Sequence, residues 1–247
     1  MHAHTWRFAW ALRNCHDRQG HWHELAAAHR LAARSAAEIS DTTGLAYALR
    51  GLARADTRLG RYDTAQARLD RALSLFEELG DVCATAYTLR QYAWLSDLQD
   101  EPETALAHAA RARHLFRSIT CAPGEAATTN AMGWYLVLLG KFDNAVGLCR
   151  DALELLRSSG ERFGQANAWE SLGMAYHQLE RFDEALDSYR RAAEIYRGFR
   201  AHDNEVETLI RLRGSHLALS QRVEADDALR RVVSIRQDLG LPPIGVP

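Results

Sequence analysis

The chain has 247 residues, is 47% hydrophobic and 25% charged, and carries a formal net charge of −2. A near-neutral balance argues against a general binder of nucleic acid or membrane surfaces. No apolar run reaches the ~18 residues of a membrane span and no secretory signal opens the chain, so the expected setting is cytoplasmic. The four cysteines, Cys15, Cys83, Cys121 and Cys149, show no CxxC spacing and suit a reducing compartment. Lys141 is the only lysine, an Arg-for-Lys bias that points to a GC-rich genome rather than to a function.

In chain order, the first unit is the most degenerate, with helices expected over about 3–19 and 22–39. Unit two opens at Asp41, a good helix N-cap. Its second helix, about 64–79, carries Leu69, Leu73 and Phe76 on one face. Unit three opens at Asp81, and Pro102 suits the first turn of its second helix, where a missing N–H costs nothing. Unit four follows Pro123 and Gly124 and is the most apolar. Unit five is the clearest: Trp169, Leu172 and Tyr176 make one apolar stripe, and Phe182, Leu186 and Tyr189 a second. Unit six, with Arg211, Arg213, Gln221 and Arg222, has the polarity of a cap. Residues 241–247 form a Pro-rich tail or linker.

These units repeat with a period of 40 residues. Gly173 is matched by Gly133, Ala93 and Ala53; Ala185 by Ala145, Ala105, Ala65 and Ala225; Ala192 by Ala152, Ala112, Ala72 and Ala32. Small residues thus fall where two helices must approach closely. Turns recur at Gly20, Gly60, Asp100, Gly140, Glu180 and Ser220, and again at Gly80, Gly160 and Gly240, with Ser40, Thr120 and Arg200 in register. Asp63, Asp143 and Asp183 stand where second helices begin, as N-caps or first-turn acids. The pattern predicts an all-α fold of six units (1–40, 41–80, 81–120, 121–160, 161–200 and 201–240) and about twelve antiparallel helices.

At Trp169, Leu172, Gly173, Tyr176, Ala185, Tyr189 and Ala192 the chain resembles the tetratricopeptide repeat (TPR) family. The resemblance covers about residues 6–240. It implies a right-handed solenoid over 1–240. The family's usual period is about 34 residues; longer helices without a terminating Pro account for the longer one, and Arg197 stands where that Pro would be. The long period is similar to that of the arrays in bacterial regulators of the MalT and AfsR/SARP kind. That likeness implies a sensory or regulatory module of a transcription regulator or signalling protein, one that acts in company with other domains.

In such arrays the first helix of each unit lines a concave groove. Register then nominates Tyr47, Arg50, Arg54, Tyr87, Arg90, Trp94, Asn130, Trp134, Asn167 and Glu170, with Gln91 and His177 at the edge. Planar cations beside aromatics suit carboxylates, phosphates and extended peptide. The expected partner is a protein or peptide with acidic or carboxylate groups. The competing expectation is that Trp94 and Trp134 pack between repeats and the arginines pair with Asp97 or Glu170.

Catalytic motifs fail. His23 and Glu24 begin an HExxH pattern, but Ala27 stands where the second histidine must be; Gly140-Lys141 lacks the earlier glycine and the following hydroxyl of a phosphate loop. The cluster His2, His4, His16, His21, His23 and His29 matches no metal pattern and is expected to be a solvated terminal unit. No cofactor, metal or catalytic residue is nominated. A structural module that forms homo-oligomers or holds a larger chain inactive is the alternative to a binding scaffold.

Overall fold

The computed structural model describes Arg7 and residues 21–242. Apart from Arg7, the first expected helix lies outside these residues. The described chain folds into helices of 17 residues each: α1 Trp22–Glu38, α2 Thr42–Arg58, α3 Tyr62–Glu78, α4 Val82–Leu98, α5 Pro102–Ser118, α6 Ala122–Leu138, α7 Phe142–Ser158, α8 Arg162–Gln178, α9 Phe182–Gly198, α10 His202–Ala218 and α11 Arg222–Asp238. They pack in sequence as antiparallel pairs. Two compact units are resolved, one ending at Cys121 (α1–α5) and one beginning at Ala122 (α6–α11).

Equal helix length has a local cause. Every described helix is followed by a residue with positive φ, and these residues are 20 apart, from Ser40 (56°) and Gly60 (71°) to Ser220 (59°) and Gly240 (67°). The left-handed residue lets two orphan amides turn back. After α1, Asp41 N–H donates to the Ala36 carbonyl at 2.8 Å and Ser40 N–H to Ala37 at 3.2 Å; after α2, Arg61 and Gly60 repeat the pattern on Asp56 and Thr57. This double closure satisfies the last carbonyls and ends the helix.

Helix starts differ between the two helices of units two and three, whereas the first helices of units five and six, α8 and α10, have no side-chain cap. Asp41 and Asp81 cap α2 and α4, each accepting an amide at 2.8 Å (from Gly44 and Ala84). The second helices have no such cap: Arg61, Lys141 and Arg181 occupy the N-cap, and Asp63, Asp143 and Asp183 sit in the first turn. These aspartates therefore act through the helix dipole and not as N-caps. Pro102 is the first residue of α5.

The core is the small-residue ladder predicted from register. Ala65, Ala105, Ala145, Ala185 and Ala225 are fully buried, and so are Ala32, Ala72, Ala112, Ala152 and Ala192. Beside them runs a ladder of large side chains, Phe76, Phe116, Leu156 and Tyr196, all buried. Its next member is Arg236, which donates instead to the Pro242 carbonyl through Nε at 2.9 Å and Nη2 at 2.7 Å. The polar capping character of unit six has this physical form.

Volume is traded across each helix pair. A Cβ on Gly173 would lie 2.6 Å from Cε1 of Tyr189, and one on Gly133 would lie 2.5 Å from Sγ of Cys149. The same two register positions in unit two hold Ala53 and Leu69, which share one core cluster. At Gly173 and Gly133 the partner side chain thus occupies the space that a Cβ would need. His29 departs from the expected solvated terminal unit: it is 1% exposed and its ring lies under Gly51, where a Cβ would meet it at 2.2 Å.

Candidate functional site

Within the unit ending at Cys121, α2 and α4 place Tyr47, Arg50, Arg54, Tyr87, Arg90, Gln91 and Trp94 on neighbouring helix faces. Residues three and four apart share a helix face, which is why the register aligns them. Their environments are not equivalent. Arg50 is only 7% exposed. Its Nη1 donates to the Ala84 carbonyl at 3.2 Å, and its guanidinium lies 4.8 Å from the Tyr47 ring centre, 5.2 Å from Phe76 and 6.0 Å from Tyr87. Gln91 Nε2 donates to the Arg50 carbonyl at 3.4 Å. Arg50 and Gln91 are therefore braces between α2 and α4. Tyr47 donates to Asp81 at 3.3 Å, and burial, with the Asp81 charge, raises its phenol pKa.

The outer part of this face is a cation–aromatic ladder. The guanidinium of Arg54 lies 5.5 Å from the Trp94 ring centre, and that of Arg58 lies 4.8 Å from Trp94 and 5.0 Å from Trp22. Arg90 lies 5.5 Å over Tyr87, which meets Phe116 edge-on at 4.9 Å. Such contacts hold a guanidinium plane in place against the ring. Trp94 is half-buried and carries two arginines, so it is both packed and part of the face. Arg58 and Trp22 escaped the register argument. Arg58 lies one turn beyond Arg54 on the same face, and that spacing was the available signal.

In the unit beginning at Ala122 the nominated residues are mostly engaged. Glu170 on α8 pairs with Arg211 on α10, accepts from Tyr196 at 2.9 Å and from Thr208 at 3.2 Å. Burial raises its carboxyl pKa, and Arg211 and the hydrogen bonds only partly counter this. Asn167 accepts from Tyr196 at 2.7 Å. His177 Nδ1 lies 2.8 Å from Ser215 Oγ, and burial lowers its pKa. Trp134 lies 5.8 Å from the Arg211 guanidinium. Asn130, one turn before it, has a buried Oδ1 without a hydrogen-bond partner. Glu170, Asn167 and His177 tie α8 to its neighbours, and the partner of Glu170 is Arg211 on the next repeat, not one of the nominated groove arginines.

Two buried acids were missed. Asp56, 1% exposed, pairs with Arg68 and lies 3.7 Å from Arg61. Glu205, also 1% exposed, receives Arg197 at 3.1 Å and Arg231 at 3.3 Å. For Asp56 the signal was an acid at a register position held by Ser96, Leu136, Tyr176 and His216 in the later units; Glu205 shares its position with Glu125 and gave no such signal. Among the described residues no group of three or more His, Cys, Asp or Glu side chains could hold a metal ion, and no helix is long and apolar enough to cross a membrane.

Comparison with curated protein sequences finds no significant match. Among solved structures, BtubC (BKLC) from P. vanneervenii superimposes with a TM-score of 0.75 at 19% identity, over 92% of this chain and 95% of that one. A Rap protein complexed with Competence and Sporulation Factor gives 0.74 at 13% identity, over 96% and 76%. A STAND protein with a tetratricopeptide repeat sensor, from Pyrococcus horikoshii, gives 0.69 at 16% identity, over 89% of this chain and 37% of that one. Likeness at these identities is one of fold. The sequence itself matches the tetratricopeptide repeat over residues 44–118 and 164–238, more than half of its length, and the chain belongs to the tetratricopeptide repeat family.

Proposed function

We propose that this chain is a non-catalytic protein- or peptide-binding scaffold, and that the face built by α2 and α4 receives a partner segment bearing carboxylate or other acidic groups. The observation that carries the reading is the ladder of Arg54, Arg58 and Arg90 over Trp94, Trp22 and Tyr87. Arginine, tryptophan and tyrosine are the residues that dominate binding energy at interfaces. Guanidinium planes already ordered on aromatic rings lose little further freedom on binding. The fold is shared with a Rap protein complexed with Competence and Sporulation Factor and with a sensor array of a STAND protein. That supports a sensory or regulatory role within a larger signalling or transcription-regulating system.

The test compares the native chain with an Arg54→Ala, Arg90→Ala, Trp94→Ala triple variant as bait in source-cell lysate, with nuclease present. Arg50 is left intact because it braces α2 against α4. A protein recovered by the native chain and lost with the variant, at unchanged helical melting, supports the reading. Equal recovery by both refutes the α2–α4 face. Recovery of this chain alone, with concentration-dependent mass in light scattering, favours the homo-oligomer instead.

A further inference from the structure

A second site lies in the other unit, on the side of the second helices. A cleft of about 500 Å³ opens between α7 and α9 with α8 as its floor. Its volume falls in the range of small-molecule sites, roughly 300–1,000 Å³. The floor is aromatic, made by Trp169 and Tyr176. The α7 wall carries Arg150 and Arg157 with Glu154 between them, and the α9 wall carries Asp183, Glu184 and Asp187. The α7 wall is thus net positive and the α9 wall net negative, over a π-surface.

The two walls are close. The guanidinium of Arg150 lies 5.9 Å from the Tyr176 ring centre, with Nη2 donating to its hydroxyl at 2.6 Å, and Arg181 from the far side lies 4.7 Å from the same ring. Arg157 and Arg191, from opposite walls, lie 5.4 and 4.9 Å from the Trp169 ring centre. Part of the charge is spent internally: Arg181 pairs with Glu184, and Arg191 with Asp187 at 2.8 Å. These pairs are largely exposed and contribute little. Arg157 meets only the indole face, and Asp183 has no side-chain partner among the described residues.

We propose that this cleft binds a short peptide with both termini free, a di- or tripeptide with an apolar side chain. Its carboxylate meets Arg150 and Arg157, its ammonium meets Asp183 and Asp187, and its side chain lies on Trp169. An extended di- or tripeptide spans roughly 7–10 Å at ~3.4 Å per residue, a size suited to a cleft of about 500 Å³. Neither wall alone selects this class. A dianion would face the α9 acids, and a dication would face Arg150 and Arg157. The site is independent of the α2–α4 face and of the reading built on it.

The probes are the tripeptide Ala-Phe-Ala with free ends, its N-acetylated form and its C-terminal amide. The readout is the indole N–H resonance of Trp169, assigned by its loss in Trp169→Phe. Free Ala-Phe-Ala is expected to shift this resonance with a Kd of about 1 mM or below, and each blocked form to bind at least about fivefold more weakly. Arg157→Gln should weaken the preference for the free acid over the amide and leave the preference over the acetylated form. Asp183→Asn should do the converse. Both side chains are exposed, so neither variant threatens folding. No shift at about 10 mM peptide, equal binding of all three forms, or variants that leave both preferences intact would each overturn the proposal.

Discussion

Gly173→Ala tests the volume exchange between paired helices. In an exposed helix interior, Gly→Ala stabilises by about 0.5–1 kcal/mol, because alanine loses less backbone freedom. At Gly173 the new Cβ would lie 2.6 Å from Cε1 and 2.7 Å from Cδ1 of Tyr189. Tyr189 is 2% exposed and its ring is rigid, so the contact is relieved only by moving packed atoms, at a cost of about 1–3 kcal/mol. The net expectation is a loss of about 0.5–2 kcal/mol. Gly147→Ala on α7 is the control: nothing lies within 4 Å of its Cβ, so it should stabilise. The two variants should move the urea midpoint in opposite directions. Combining Gly173→Ala with Tyr189→Leu recreates the Ala53–Leu69 pair found in unit two, and the double variant should be less destabilised than the sum of the singles. A Gly173→Ala chain as stable as Gly147→Ala, or strictly additive singles, would refute the reasoning.

Asp56→Ala should destabilise by about 1–3 kcal/mol, because it leaves the partly exposed Arg68 without its carboxylate. Arg61→Ala, at a 50% exposed partner 3.7 Å away, should cost less than about 1 kcal/mol; equal losses in urea titrations would show that Asp56 is not held by Arg68. The pKa of Glu170 is raised by burial, so the native state retains its proton above the ordinary glutamate range. Stability from this group is then present at acid pH and declines as pH rises through the raised pKa. Relative to Glu170→Gln, the native chain should lose ground as pH rises above the ordinary glutamate range, and a gain would show that the Arg211 pair outweighs desolvation. Thr120 has φ 51°, a β-branched residue in the left-handed region, and Thr120→Gly should raise stability by about 1 kcal/mol in the same assay, with no gain contradicting strain there. The Cys149 thiol is fully buried and its pKa is pushed up to about 12, so a thiol reagent should label exposed Cys83 in the native state and Cys149 only on unfolding; labelling at equal rates would contradict the burial.

Much of the fold is legible in the sequence because its causes are local. A left-handed residue every 20 positions ends each described helix, and the alanine ladders mark where helices approach. The tertiary structure decided what each polar side chain does, since that depends on residues far along the chain. Register made Arg50 and Arg54 equivalent groove arginines. Only the packing of Tyr47, Phe76 and Tyr87 around Arg50, and the Ala84 carbonyl at its tip, turns it into a buried brace. Arg54, one turn on, meets the flat face of Trp94 and stays half-exposed. Glu170 belongs to the same set of register positions, yet its partners Tyr196, Thr208 and Arg211 are 26 to 41 residues away. Helix periodicity specifies which face a side chain leaves from. The identity and rotamer of residues on the next two helices specify whether it arrives at solvent, a ring or a counter-charge.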